Sequence, residues 1–133
     1  MVKTSLVEQD LNEGKRLLEA LNKPKPNGTS FRVKAAFWLY RPESMGWRLI
    51  LATPLVDEQG KLATYAHLRK ILDSIQPLNL STHNITVVSP RRDPLVKALR
   101  GALRIASDSE DVRFSGAMFG GTYVEDAYLY RLP

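Results

Sequence analysis

Between Phe31 and Val56 the chain reads FRVKAAFWLYRPESMGWRLILATPLV, two apolar runs separated by a short stretch of turn formers. No other stretch restricts the fold as strongly. The loop Arg41-Pro42-Glu43-Ser44-Met45-Gly46 carries proline and glycine near its two ends, so the runs are expected to pair as an antiparallel hairpin with Tyr40 opposite Trp47. Counting back with period two sets Trp38 beside Leu49, Ala36 beside Leu51, Lys34 beside Thr53 and Arg32 beside Leu55 on one face. The other face then holds Phe37 with Ile50, Ala35 with Ala52, Val33 with Pro54 and Phe31 with Val56. Both faces are apolar in the middle, which calls for a packing layer on each side.

The flanking sequence supplies those layers. Ser5 and Glu8 have capping-box spacing, and Val7, Leu11, Leu18 and Leu21 recur at helical intervals, which predicts a helix over Leu6–Asn22. Gly14 lies on its apolar side, where the missing side chain would let a neighbouring backbone approach closely. Lys23 to Gly28, KPKPNG, reads as a polar connection. After the hairpin, Asp57-Glu58-Gln59-Gly60 reads as a turn before a second helix over Lys61–Gln76, with Tyr65, Leu68, Leu72 and Ile75 on one face, helped by Leu62 and Ile71. Asn84–Ser89 is a short β-branched strand that a helical crossover places parallel to one strand of the hairpin. Asp93-Pro94 opens a third helix that runs to Ile105 and buries Val96, Leu99 and Leu103. Ser107 to Asp111 is a solvated loop, and Gly120-Gly121 joins Val112–Phe119 to Thr122–Leu132 in a second hairpin. The expectation is one α+β domain over residues 1–133, a mixed five-stranded sheet with three packed helices in the order αββαβαββ.

Composition narrows the chemistry. With 133 residues, 44% hydrophobic and 25% charged, the chain has the balance of a water-soluble domain, and neither end reads as a signal peptide or a membrane span, so the expected location is cytoplasmic. The absence of cysteine removes disulfides, thiol catalysis and thiolate metal sites. Two histidines with no neighbouring ligand at metal spacing predict no metal site, and without a Walker loop, Rossmann glycine run or nucleophile elbow no cofactor is expected.

Between Arg91 and Arg104 there is a local surplus of +4, against a formal charge of +5 for the whole chain. Arg91, Arg92, Lys97, Arg100 and Arg104 face a single acid, Asp93, within the third helix and its lead-in, and Lys97, Arg100 and Arg104 fall on the side opposite Val96 and Leu99. Such a stripe suits phosphate backbones, which makes nucleic acid the second class of partner. A solvated outer face is the plainer account, and Asp108, Glu110 and Asp111 immediately downstream reduce the local surplus. Trp38, Tyr40 and Trp47 with Arg32 and Lys34 share a face, as in sheets that stack bases, but Leu49, Leu51 and Leu55 on that face favour burial.

Glu125 is the oddest residue. The glycine turn sets it opposite Gly116 on a face otherwise built from Val112, Phe114, Met118, Ala127 and Leu129, where a raised pKa would suit a general acid or base. An acid–base enzyme would need His67 or His83 beside it. Asp126 falls opposite Ser115 and near Arg113, as a cross-strand ion pair. The leading expectation is a non-enzymatic binding domain that contacts a protein partner or a second copy through its C-terminal hairpin and through tyrosines such as Tyr128 and Tyr130.

Overall fold

The structure is a computed structural model that describes residues 6, 8–23, 31–43, 46–106 and 111–130, without the side chains of 102–106. The element order is α1 (Glu8–Leu21), β1 (Ala35–Arg41), β2 (Gly46–Ala52), α2 (Leu55–Ser74), β3 (Ile85–Val88), α3 (Pro94–Ala106), β4 (Val112–Phe119) and β5 (Thr122–Leu129). The strands form one mixed sheet in the order β3-β2-β1-β5-β4. This is the α+β class and the element order that the sequence predicts. The Ser5 cap, the 24–28 connection and residues 107–110 of the acidic loop lie outside the described residues.

The β1–β2 register is the one the turn residues impose, with Tyr40 opposite Trp47, Trp38 opposite Leu49 and Phe37 opposite Ile50. β3 runs parallel to β2 after the α2 crossover, and β5 returns antiparallel beside β1. Because successive side chains alternate, the two central strands feed two cores. On one face, Leu17, Leu18 and Leu21 of α1 and Leu68, Ile71 and Leu72 of α2 cover Ala36, Trp38, Leu49, Leu51, Ile85 and Val87. On the other, Val96 and Leu99 of α3 pack on Phe37, Leu39, Ile50, Val124, Ala127 and Leu129.

Three local expectations are corrected. Phe31 and Val33 join the α1–α2 core instead of the α3 core, because the alternation breaks between Val33 and Ala35, where the chain bends at Lys34 ahead of β1; Arg32 between them takes a positive φ of 55°. Arg32 itself turns outward and pairs with Glu58. The second apolar run stops pairing at Ala52, and Leu55 and Val56 are already helical. The Thr53 hydroxyl bonds the Phe31 carbonyl and receives the Leu55 amide, while the amides of Asp57 and Glu58 reach the Pro54 carbonyl. Asp57 and Glu58 are therefore first-turn acids that favour the helix dipole, and only Gly60 (φ 84°, ψ 165°) departs, as a kink inside α2. Leu62, expected to help bury the helix, is 87% exposed, on the stripe with Ala66 and Arg69.

Gly14 does admit a close neighbour, but a side chain instead of a backbone: a Cβ there would lie 2.3 Å from the Tyr130 hydroxyl. That hydroxyl accepts a bond from Trp38 Nε1 at 2.8 Å and donates to the Leu11 carbonyl at 2.8 Å. Tyr130 is thus buried core and not an exposed contact.

Candidate interaction surface

Gly120 and Gly121 (φ 54° and 82°) make the tight turn of the β4–β5 hairpin and fix its register, Phe119 with Thr122, Met118 with Tyr123 and Ser115 with Asp126. β4 is the end of the sheet, and among the described residues seven of its eight residues pair with β5 and with no other strand. No residue from Phe114 to Val124 carries a charge. Met118 and Tyr123, directly opposite one another, are each 62% exposed.

The alternation of this hairpin is also reset. Phe114 and Phe119, five residues apart, would point to opposite sides of a regular strand, yet both pack on the α3 core with ring centroids 4.9 Å apart and 72° between planes. The change falls around Gly116, whose φ is +64° and which forms no ladder pair with Glu125 opposite. On β5, Val124 and Ala127 likewise face the same core across the irregularity. Glu125 therefore sits at the break itself, half-buried, and the continuous apolar face expected around it does not form. Asp126 is buried as expected of the ion pair: Arg113 donates to its two oxygens at 3.1 and 2.8 Å, and Ser115 adds a third bond at 3.3 Å.

Beside the hairpin tip opens a groove of about 420 Å³. It lies where the N-terminal end of α3 meets the turn, with Gly120 placed where a Cβ would lie 3.0 Å from Ala98. Phe37, Leu39, Ile50 and Val124 line the groove with Arg41, Glu43 and Asp93, and Tyr123 lines it from the hairpin.

The basic cluster is split by the structure. Arg91, Lys97 and Arg100 are exposed, whereas Arg92 donates through Nε and Nη2 to Asp57 Oδ1, both at 2.9 Å. Arg104 lies in α3 with its side chain outside the described set. Asp57 also accepts the Ser89 hydroxyl at 2.9 and 2.8 Å, and Ser89 Oγ in turn receives the amides of Arg91 and Arg92. The Ser89 bond, followed by Arg92 and Arg91, holds the Asp57 carboxyl below the usual carboxylate range against the opposing effect of burial. Asp93 caps α3 as the sequence predicts, accepting the Val96 amide at 3.0 Å. The two helix N-termini at this junction are thus already supplied with carboxylates.

The acid–base constellation is not assembled. His67 lies on α2, its ring edge-on to Phe31 at 5.5 Å, on the α1–α2 side of the sheet. His83 is exposed just ahead of β3, whereas Glu125 is on β5, three strand spacings or about 14 Å across the sheet. Trp38 is core, 3% exposed, and Trp47 is half-buried between the Tyr40 ring and the Arg113 guanidinium, 5.7 Å from its centroid. Among the described residues no group of histidines and acids is placed to hold a metal, and no helix is long and apolar enough to cross a membrane.

Two polar centres escaped the sequence reading. Glu13, on the inner side of α1, accepts the amides of Asn79 and Leu80 at 2.9 and 3.1 Å and so ties the α2–β3 connection to the first helix. A buried acid on a helix signals itself only by occupying the apolar stripe beside Gly14 and Leu17. The Asp57–Ser89–Arg92 junction joins residues over thirty positions apart and leaves no local pattern. Comparison with protein-family models, curated proteins and solved structures finds no match to this chain.

Proposed function

We propose that this protein is a non-enzymatic binding domain that engages a protein partner through the β4–β5 hairpin. The observation that carries the reading is the uncharged stretch from Phe114 to Val124 along a sheet edge that no other strand pairs with among the described residues, with Met118 and Tyr123 presented together. An edge strand offers a row of backbone donors and acceptors to an added strand, and natural edges of this length ordinarily carry lysine, proline or a covering element. β4 carries neither residue. The groove beside Tyr123, lined by polar as well as apolar groups, supplies an adjoining recess for a side chain of the partner.

A photo-crosslinking residue in place of Tyr123, introduced in cells that make the protein, tests the reading. A discrete covalent adduct is expected at Tyr123 and none from the same residue at Lys97. Adducts at Lys97 alone, or at neither position, would remove the hairpin from consideration.

A second reading, contact with nucleic acid, rests on Arg91, Lys97 and Arg100, which are exposed and have no acidic hydrogen-bond partner among the described residues. It predicts binding that weakens steeply with salt and is lost when Lys97 and Arg100 become glutamate. Binding indifferent to both changes would discard it.

A further inference from the structure

We infer that a cavity between α1 and the sheet binds a primary ammonium ion, with carboxylates and indole rings in its walls. It lies on the α1–α2 face, opposite the groove beside the hairpin, so it stands apart from the partner-binding reading.

The cavity has a volume of about 220 Å³. Asp10 and Glu13 of α1, Trp38 of β1, Trp47 of β2, and Asn79 and Asn84 of the α2–β3 connection line it, and among the described residues no lysine or arginine does. On a chain of formal charge +5 this is an acidic exception.

Glu13 carries the argument. It is only 9% exposed, and its two oxygens take N–H bonds from the Asn79 and Leu80 backbone and from the Gln9 side chain at 3.2 Å, all of them neutral donors. Among the described residues it has no cationic partner. Buried carboxylates in folded proteins are paired, because an uncompensated charge away from water is costly. Glu13 borders the cavity instead, and the cavity gives the missing countercharge a place to sit.

The rest of the wall selects the kind of cation. Indole rings attract organic cations through their quadrupole, most strongly where water is excluded. The Trp47 ring already has the Arg113 guanidinium 5.7 Å from its centroid, although that charge is bonded to Asp126. Two carboxylates and two side-chain amides offer acceptors for the three donors of an ammonium group, while its alkyl stem rests on the rings. A metal ion is served less well, since among the described residues no third acid or histidine joins the two carboxylates.

Trp38 and Trp47 are the chain's two tryptophans, so their fluorescence reads the site directly. Titration of the intact protein in physiological salt with n-butylamine and with Nα-acetyl-lysine amide should give a saturable change, and uncharged n-butanol should give none. Tighter binding of the lysine derivative assigns the site to a lysine side chain of a protein, and equal or weaker binding assigns it to a free amine. Glu13→Gln keeps an oxygen for the Asn79 and Leu80 amides while removing the charge, and Asp10→Asn removes the other charge at a half-buried position. Each should weaken binding about tenfold or more, whereas Glu43→Gln, outside the cavity, should leave it unchanged. Circular dichroism checks the fold of each variant, and Asp10→Asn decides if Glu13→Gln is not native. No saturable change with either amine overturns the inference. So does an equal response to n-butanol, or an affinity that a folded Glu13→Gln, or failing that Asp10→Asn, leaves unaltered.

Discussion

Tyr130 links three parts of the chain through one oxygen, accepting from Trp38 of β1, donating to Leu11 of α1 and filling the space that Gly14 leaves open. Tyr130→Phe would leave the buried Trp38 N–H without an acceptor, a loss of about 1–3 kcal/mol. Gly14→Ala should also destabilise the fold, because overpacking costs about 1–3 kcal/mol and outweighs the gain of about 1 kcal/mol in helix propensity. Urea midpoints measure both, and a Gly14→Ala protein more stable than the parent would contradict the contact. Tyr128 is different: burial first, then the bonded Asp111 carboxylate, push its phenol up to about 12. A folded pKa above the unfolded value means that its contribution is whole below about pH 10 and is lost as pH rises through the folded value. Ultraviolet titration should therefore show a late tyrosine whose ionisation moves down in Asp111→Asn. What the sequence conceals at this scale is conformation: Arg32 is a non-glycine residue with positive φ, and nothing local announces it or the bend at Lys34 that inverts the faces of Phe31 and Val33 relative to β1.

The elements were legible where local chemistry decides them. Proline and glycine in the first loop fixed the β1–β2 register, Asp93-Pro94 fixed the start of α3, and the glycine pair fixed the second turn. They were illegible where an apolar run continued past the end of a strand, as at Leu55-Val56, although Pro54 followed by Asp57 and Glu58 is in retrospect a helix N-terminus. Two substitutions test α3. Gly101→Ala should stabilise the protein by about 0.5–1 kcal/mol, because nothing lies within 4 Å of the added methyl, and Asp93→Ala should cost about 1 kcal/mol by removing the cap. At the junction of β3 with α2 and α3, the Asp57 carboxyl titrates below its unfolded value. Its contribution is therefore present above about pH 4 and lost as pH falls through the folded value. Asp57→Asn should flatten the acid limb of the stability profile, and an unchanged limb would show that Ser89 and Arg92 are not coupled to it.

At the scale of the molecule, the fold is lopsided. Two helices pack on one face of the sheet and a single helix on the other, and the groove, the β4 edge and the uncharged hairpin tip lie side by side. That adjacency could not be read from the sequence, since it depends on strand order: β5 inserts next to β1 and pushes β4 to the outside. Equally, the sheet keeps Glu125, His67 and His83 apart, although each alone had the chemistry of a catalytic group. The most direct measurement is amide hydrogen exchange of residues 112–119 in the isotope-labelled protein, purified and in extract of the cells that make it. If β4 is a pairing edge, its outward amides gain protection in the extract and lose it again in Met118→Lys, with β3 unchanged in both. Outward β4 amides that exchange at one rate under every condition would show that the edge stays bare, and the account would fail.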